Sequence, residues 1–164
     1  MALIIENGTI VTGANSFTTD VEFLAYALAR GFTLPSTESA RDSLQILAMD
    51  YIFSVETKLE GCRVSIDQEL AYPRYGACVN NFNIPSNSIP ANIKKAQMEL
   101  AYQASTSPLL INKNNTNIQS EKLDAMMISY FSGGSWEQVN TGRADAYLKA
   151  LYANGGSDNI MGRV

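Results

Sequence analysis

The stretch that most constrains the fold is residues 70–101, in which an irregular segment leads into an amphipathic helix. Three prolines, at positions 73, 85 and 90, interrupt the segment. Pro90 fits the first helical turn, where its missing N–H costs nothing, with Ser88 or Ile89 at the cap. Apolar residues then recur at three- and four-residue steps at Ile93, Ala96, Leu100, Ala101 and Ala104, whereas other faces carry Lys94, Lys95, Gln97 and Glu99. The sequence therefore predicts a core helix with a basic first turn.

A first helix is predicted from Asp20 to Arg30. Thr19 and Glu22 form the Ser/Thr-x-x-Glu pattern of a capping box, and Gly31 supplies the C-terminal stop. Its expected apolar stripe consists of Val21, Leu24, Ala25 and Leu28, flanked by Phe23 and Tyr26.

A second helix is predicted after Pro35, capped by Ser36 or Thr37 and extending to about Glu56. Apolar residues keep helical spacing through it at Ala40, Leu44, Leu47, Ala48, Tyr51, Ile52 and Val55. Because a short linker joins the first two helices, we expect them to pack antiparallel as a hairpin.

The second half of the chain contains weaker signals. Residues 112–132 predict a small hairpin or extended arm with a turn near Leu123 and Asp124. Residues 141–153 predict a last short helix, and the glycine-rich residues 154–157 end it. The expected fold is thus mainly α: a small bundle of about four helices in one domain, residues 1–154, with a long proline-containing loop and a flexible C-terminal tail, residues 155–164.

Composition limits the function. The net charge is −4, which argues against a general nucleic-acid coat that neutralises many phosphates. The charge is uneven, since residues 1–82 contain 10 acids and 5 bases and residues 83–164 contain 6 acids and 7 bases. A local basic strip at Lys94 and Lys95 could therefore face a negatively charged partner; a solvated helix face is the simpler interpretation.

Histidine is absent, and there are two cysteines, Cys62 and Cys78. A Ser-His-Asp triad, a Cys-His pair and a common zinc site are excluded, so we expect neither enzymatic activity nor a cofactor or metal. Both cysteines are expected to be reduced and buried. No signal peptide and no apolar run of membrane-spanning length occur, which predicts a soluble protein made in a cytoplasm.

Arginine and aromatic residues interleave in the proline-containing loop. Tyr72, Tyr75 and Phe82 with Arg74 could stack single-stranded bases. The same spacing suits a loop pinned onto the core, and we favour a loop-fixing or subunit-contact role for Tyr72, Pro73, Arg74 and Tyr75, because a guanidinium can reach the carbonyls of an irregular backbone.

Several motifs together resemble one family of tailed-bacteriophage proteins. They are MALIIENGT at the start, Asn15-Ser16-Phe17, Ala25-Tyr26 before Arg30-Gly31, Gly61-x-Arg63, Gln68-x-Leu70-Ala71-Tyr72-Pro73-Arg74, Ile84-Pro85, Ile89-Pro90 and Lys95-Ala96-Gln97-x-Glu99-Leu100-Ala101. The family usually has Trp at the position of Tyr72 and Val at that of Ile89, which are conservative departures. Its members are described both as DnaT-like single-stranded-DNA-binding proteins and as head-tail connector, adaptor or head completion proteins.

Between the two descriptions, the acidic, weakly charged helical composition favours the connector, with DNA binding as the alternative. The resemblance then implies a virion protein at the head-tail junction, made in the host bacterial cytoplasm. It implies a homo-oligomeric ring of 12 copies that contacts the portal protein and downstream tail or head-closure proteins, with DNA passing through without sequence-specific binding and no membrane. We expect the tail to dock on the portal through Ile160, Met161, Arg163 and Val164.

Overall fold

The computed structural model describes residues 2–80, 82–110, 120–123, 126–129 and 141–153 of the chain. Within these ranges lie four α-helices and one turn of 3-10 helix at Glu56–Lys58. The α-helices are α1 (Asp20–Leu28), α2 (Glu38–Ser54), α3 (Ala91–Ala104) and α4 (Gly142–Lys149). The predicted mainly α fold with about four helices is confirmed.

Short antiparallel hairpins complete the described part of the fold. They pair β1 (Cys62–Arg63) with β2 (Arg74–Tyr75), β3 (Cys78–Val79) with β4 (Phe82–Asn83), and β5 (Ser120–Leu123) with β6 (Met126–Ser129). In the last hairpin Leu123 is paired with Met126, so of the predicted hairpin or extended arm the hairpin is present. The first two hairpins were not predicted, since each strand has only two residues.

The core is built around α3, which packs most extensively against α2 and α4. The predicted core positions Ile93, Ala96, Leu100 and Ala101 are all buried. Pro90 occupies the N-cap position itself, so the predicted cap at Ser88 or Ile89 was placed too early. Gln97 and Glu99, expected on other faces, are also buried. This helix is nearly enclosed, and its polar side chains find partners inside the protein.

Helix α1 begins and ends through local signals. The Thr19 side chain accepts a hydrogen bond from the Glu22 amide, and Glu22 accepts one from the Thr19 amide, so the capping box is confirmed. Gly31 has φ +67° and follows a helix that ends at Leu28. The amide of Phe32 donates to the carbonyl of Ala27 at 3.0 Å, which satisfies a helix-end carbonyl.

The predicted apolar stripe of α1 is wrong. Val21 is 74% exposed and Leu28 84% exposed, and Leu24 and Ala25 are exposed as well. The helix instead buries Phe23, Tyr26 and Ala27. The larger aromatic surface of Phe23 and Tyr26 is turned toward the core, which leaves the aliphatic face in solvent.

Helices α1 and α2 do not form the predicted close hairpin, since the contact between them is small. Arg41 near the start of α2 instead forms two 2.6 Å hydrogen bonds to the Asp20 carboxylate at the start of α1. The α2 stripe is confirmed at Ala48 and Ile52, whereas Leu47 is exposed and Gln45 is buried.

A buried polar network attaches the N-terminal segment to the helices. The Gln97 side chain on α3 accepts from the Phe17 amide at 2.9 Å and donates to the Ser16 hydroxyl at 2.7 Å. The Thr18 hydroxyl donates to the Gln45 side chain of α2 at 2.8 Å. These hydrogen bonds replace the hydrogen bonds to water that each group loses on burial. They therefore fix the position of the N-terminal segment against α2 and α3.

The last helix, α4, is shorter than predicted, although Ala144, Leu148 and Leu151 are buried as expected. Both cysteines are free, as expected, but Cys62 is exposed and Cys78 partly exposed, so the prediction that they are buried is wrong. Each lies in a two-residue strand at the edge of the fold rather than on a core helix. Among the described helices, none has both the length and the apolar character needed to cross a bilayer.

Candidate functional site

The loop residues singled out from the sequence lie mostly inside the protein. Tyr72, Pro73 and Arg74 are buried, whereas Tyr75 is 72% exposed. Burial raises the pKa of the Tyr72 phenol to about 12. Because Tyr72 and Arg74 are enclosed, they cannot present a stacking surface to a nucleic acid, and of that predicted platform only Tyr75 and Phe82 are exposed.

Arg74 is surrounded by backbone carbonyls. Its guanidinium donates to the carbonyls of Glu60 at 2.8 Å and Gly61 at 2.6 Å, and more weakly to those of Leu59 and Ala71. It also contacts the Glu56 carboxylate at 3.2 Å. A planar fork of donors matches such a cluster of acceptors, so Arg74 connects the turn after α2 to the proline-containing loop.

The two lysines of the predicted basic strip have separate surroundings. Lys94 is half-buried and lies 3.6 Å from the Glu22 carboxylate of α1. Burial raises the pKa of Glu22, but the Thr19 amide and the Lys94 charge together outweigh it, so the net pKa is lowered. Lys95 is exposed, and its ammonium lies 5.8 Å from the centre of the Tyr147 ring. Lys95 therefore remains the more available cation of the pair.

The tail residues predicted to dock on the portal, Ile160, Met161, Arg163 and Val164, lie outside the described residues, as does most of the arm at 112–132.

A groove that the sequence did not reveal lies where α3, α4 and the segment after α1 meet. The rings of Phe32 and Tyr102 stack there with centroids 3.8 Å apart and an angle of 6° between their planes. The Arg143 guanidinium lies over Phe32, 5.7 Å from its centroid. Two adjoining cavities of about 340 and 600 Å³ share Phe32, Arg143 and Glu99 in their walls. We call this feature the Phe32 groove.

Cations border the Phe32 groove. Arg30 and Arg143 line its larger cavity, and so does Tyr147, the ring beside Lys95. The carboxylates nearby each have a partner: the Glu99 Oε1 atom lies 3.5 Å from the Arg30 guanidinium, and Asp145 accepts from the Thr141 hydroxyl at 2.7 Å. The groove thus combines positive charge at its edge with partly exposed aromatic rings, although the whole chain is acidic.

Glu99 lies at the base of the groove and is 6% exposed. Its Oε1 atom accepts a 2.8 Å hydrogen bond from the Tyr26 hydroxyl. The Arg30 guanidinium lies 3.4 Å from the centre of the Tyr26 ring, so the end of α1 is fixed against α3. Burial, followed by the hydrogen bond to Glu99, raises the pKa of Tyr26 and keeps its phenol a donor.

Sequence reasoning missed this groove because its residues are far apart in the chain. Arg30 and Phe32 follow α1, Tyr102 is near the end of α3, and Arg143 is in the first turn of α4. The one available signal was the more positive second half of the chain. No group of three or more His, Cys, Asp or Glu side chains suited to hold a metal occurs in the part of the chain that the structure describes.

Fold and groove together define a small helical protein with a cationic, aromatic surface that suits a polyanionic ligand with planar rings. A family model described as "Putative DnaT-like ssDNA binding protein" matches residues 1–164. The chain therefore belongs to the DnaT-like ssDNA-binding protein family. This description agrees with the alternative function from the sequence and makes no mention of a head-tail connector. No curated protein and no solved structure matches the chain.

Proposed function

We propose that the protein binds single-stranded DNA in the Phe32 groove, as a binding protein rather than an enzyme. The observation that carries this proposal is the Phe32–Tyr102 ring stack bordered by Arg30 and Arg143. Single strands bind to proteins by stacking bases on aromatic rings and by placing phosphates near cations. The family description supports the same function.

The energetics suit a short binding site. Base stacking on an aromatic side chain contributes about 1–3 kcal/mol per base. Arg143 and Lys95 offer two cations for phosphates near the edge of the groove, whereas the Arg30 guanidinium is already paired with Glu99. Because the rest of the chain is acidic, with a net charge of −4 overall, binding must depend on this local patch and must weaken steeply as salt rises.

Fluorescence anisotropy with a labelled thymidine oligomer of about 15 nucleotides tests the proposal. We expect Arg143→Ala to weaken binding and to lower the slope of log K against log salt by about 0.7. Lys58→Ala removes an exposed cation beside Tyr152, which is outside the groove walls, and should leave both quantities unchanged. Equal losses in the two variants, or no binding by the unaltered protein, would contradict the proposal.

A second candidate function is the head-tail connector that the sequence resemblance suggested. One structural feature favours an assembling subunit: Val21, Leu24 and Leu28 form an exposed aliphatic face on α1. A neighbouring copy would gain by burying it, because apolar surface is costly in water. In this proposal the protein is a virion component, forms a ring of about 12 copies as in closed symmetric oligomers, and contacts the portal and downstream tail proteins.

Two measurements separate the candidates. Light scattering coupled to size-exclusion chromatography gives the mass of the particle, and a connector is expected to assemble while Leu28→Ser remains a monomer. Purified phage particles from a host that expresses the protein should contain it in stoichiometric amounts. If the protein is a monomer and is absent from particles, the connector function is excluded and DNA binding remains as the proposed function.

A further inference from the structure

Glu99 has capacity for a ligand beyond the interactions that the described residues make with it. Its Oε1 atom receives the Tyr26 hydroxyl and faces Arg30, whereas among the described residues no hydrogen-bond donor reaches its Oε2 atom. The side chain is 94% buried, yet it lines both cavities of the Phe32 groove. A carboxylate with so little water contact forms strong hydrogen bonds with any donor that enters.

Resting on the proposed DNA binding, we propose that the smaller cavity is a pocket for one nucleobase and that Glu99 selects guanine there. The pairing edge of guanine presents two adjacent donors, the ring N1–H and the exocyclic N2 amino group. These match the two oxygens of a carboxylate, because each oxygen has two lone-pair positions and Oε1 has one hydrogen bond so far.

The other bases fit this carboxylate less well. Thymine offers a single N3–H between two carbonyl oxygens, which the carboxylate repels. Adenine and cytosine each place an acceptor nitrogen beside the amino donor, so only one favourable contact forms. A good two-point contact to a base edge contributes about 1–3 kcal/mol of discrimination against the wrong base.

The remaining walls of the pocket suit a planar base. Its volume of about 340 Å³ lies at the lower end of the range for small-molecule sites. Phe32 and Tyr102 supply ring surface, and Gln103 supplies a polar side chain. The Arg30 charge beside Glu99 partly offsets the repulsion between its carboxylate and a DNA phosphate.

The test uses a thymidine oligomer of about 15 nucleotides that carries one variable central base. Guanine is compared with inosine, which retains N1–H but lacks the N2 amino group, and with adenine, cytosine and thymine. We expect the guanine oligomer to bind the unaltered protein roughly tenfold more tightly than the inosine and thymine oligomers. Measuring below the concentration at which guanine oligomers associate keeps the comparison clean.

Glu99→Gln is the matched variant, because its amide oxygen still accepts from Tyr26. The ratio of its affinities for the guanine and thymidine oligomers should fall close to one, with an unchanged circular-dichroism spectrum. If the unaltered protein binds all five oligomers equally, the pocket assignment is overturned while DNA binding stands. If it binds none, the proposed function fails too; if Glu99→Gln keeps the full preference, Glu99 is not the selecting group.

Discussion

Arg74 donates a 2.6 Å hydrogen bond to the backbone carbonyl of Gly61, thirteen residues earlier in the chain. This bond closes the segment between α2 and the proline-containing loop, and the buried guanidinium that makes it also contacts Glu56.

We predict that Arg74→Ala lowers the free energy of unfolding by about 3–5 kcal/mol, because it leaves buried carbonyls without their donor and removes one of the guanidinium groups that contact Glu56. Tyr75→Ala, at the exposed neighbouring position, should change it by less than about 0.5 kcal/mol. Urea denaturation followed by circular dichroism measures both. A loss of DNA binding in Arg74→Ala with unchanged stability would instead assign Arg74 to the DNA-binding surface.

The free energy of unfolding should fall in acid because Glu56 becomes protonated. Hydrogen bonds from Arg63 lower its pKa from the ordinary value of 4.5, against the opposing effect of burial, and the Arg74 charge lowers it further. Because the folded pKa lies below the unfolded one, the unfolded state binds more protons in acid. The stabilisation is present above pH 4.5 and is lost as the pH falls through the folded value.

Glu56→Gln removes this titration. The free energy of unfolding of the unaltered protein should therefore exceed that of the variant above about pH 5, and the difference should shrink toward pH 2. Urea titrations at a series of pH values give the comparison. A difference that does not vary with pH would show that Glu56 is not responsible.

The exposed and buried sides of α1 should respond differently to substitution. Leu28→Ser should change the stability of the monomer by less than about 0.5 kcal/mol, because Leu28 lies in solvent. Phe23→Ala, on the same helix, should lower it by about 3–5 kcal/mol, because Phe23 is fully buried. Thermal and urea unfolding of dilute protein test this, and equal losses would mean that α1 is rotated.

Gly8 and Gly31 should respond differently to alanine. A Cβ on Gly8, where φ is +105°, would lie 2.1 Å from the Asn87 carbonyl oxygen. Nothing lies within 4 Å of a Cβ on Gly31, so only its φ of +67° is unfavourable. Gly31→Ala should cost about 1–2 kcal/mol, and Gly8→Ala clearly more, since backbone must move. Chemical denaturation measures the loss in free energy of unfolding for each variant. Similar losses would contradict the close approach of Gly8 to the Asn87 backbone.

Features that depend on neighbours in the chain were predictable. The capping box of Thr19 and Glu22 and the stop at Gly31 require only local backbone geometry, and they place α1 correctly to within two residues at its end. The core side of α3 was predictable at Ile93 and Leu100, because the aliphatic side chains there recur at helical spacing. The pairing of residues 120–123 with 126–129 agrees with the hairpin, one of the two alternatives predicted there.

The orientation of α1 and the composition of the groove were decided by tertiary packing. Val21 and Leu28 satisfy the same helical spacing as a core stripe, but Phe23 and Tyr26 are buried instead, and the Tyr26 hydroxyl reaches Glu99. The Phe32 groove joins residues more than a hundred positions apart, between which the sequence shows no pattern. The sequence by itself determined which segments become helices, because helix formation is local; which faces meet is decided by the whole chain, because burial is a competition among all its surfaces.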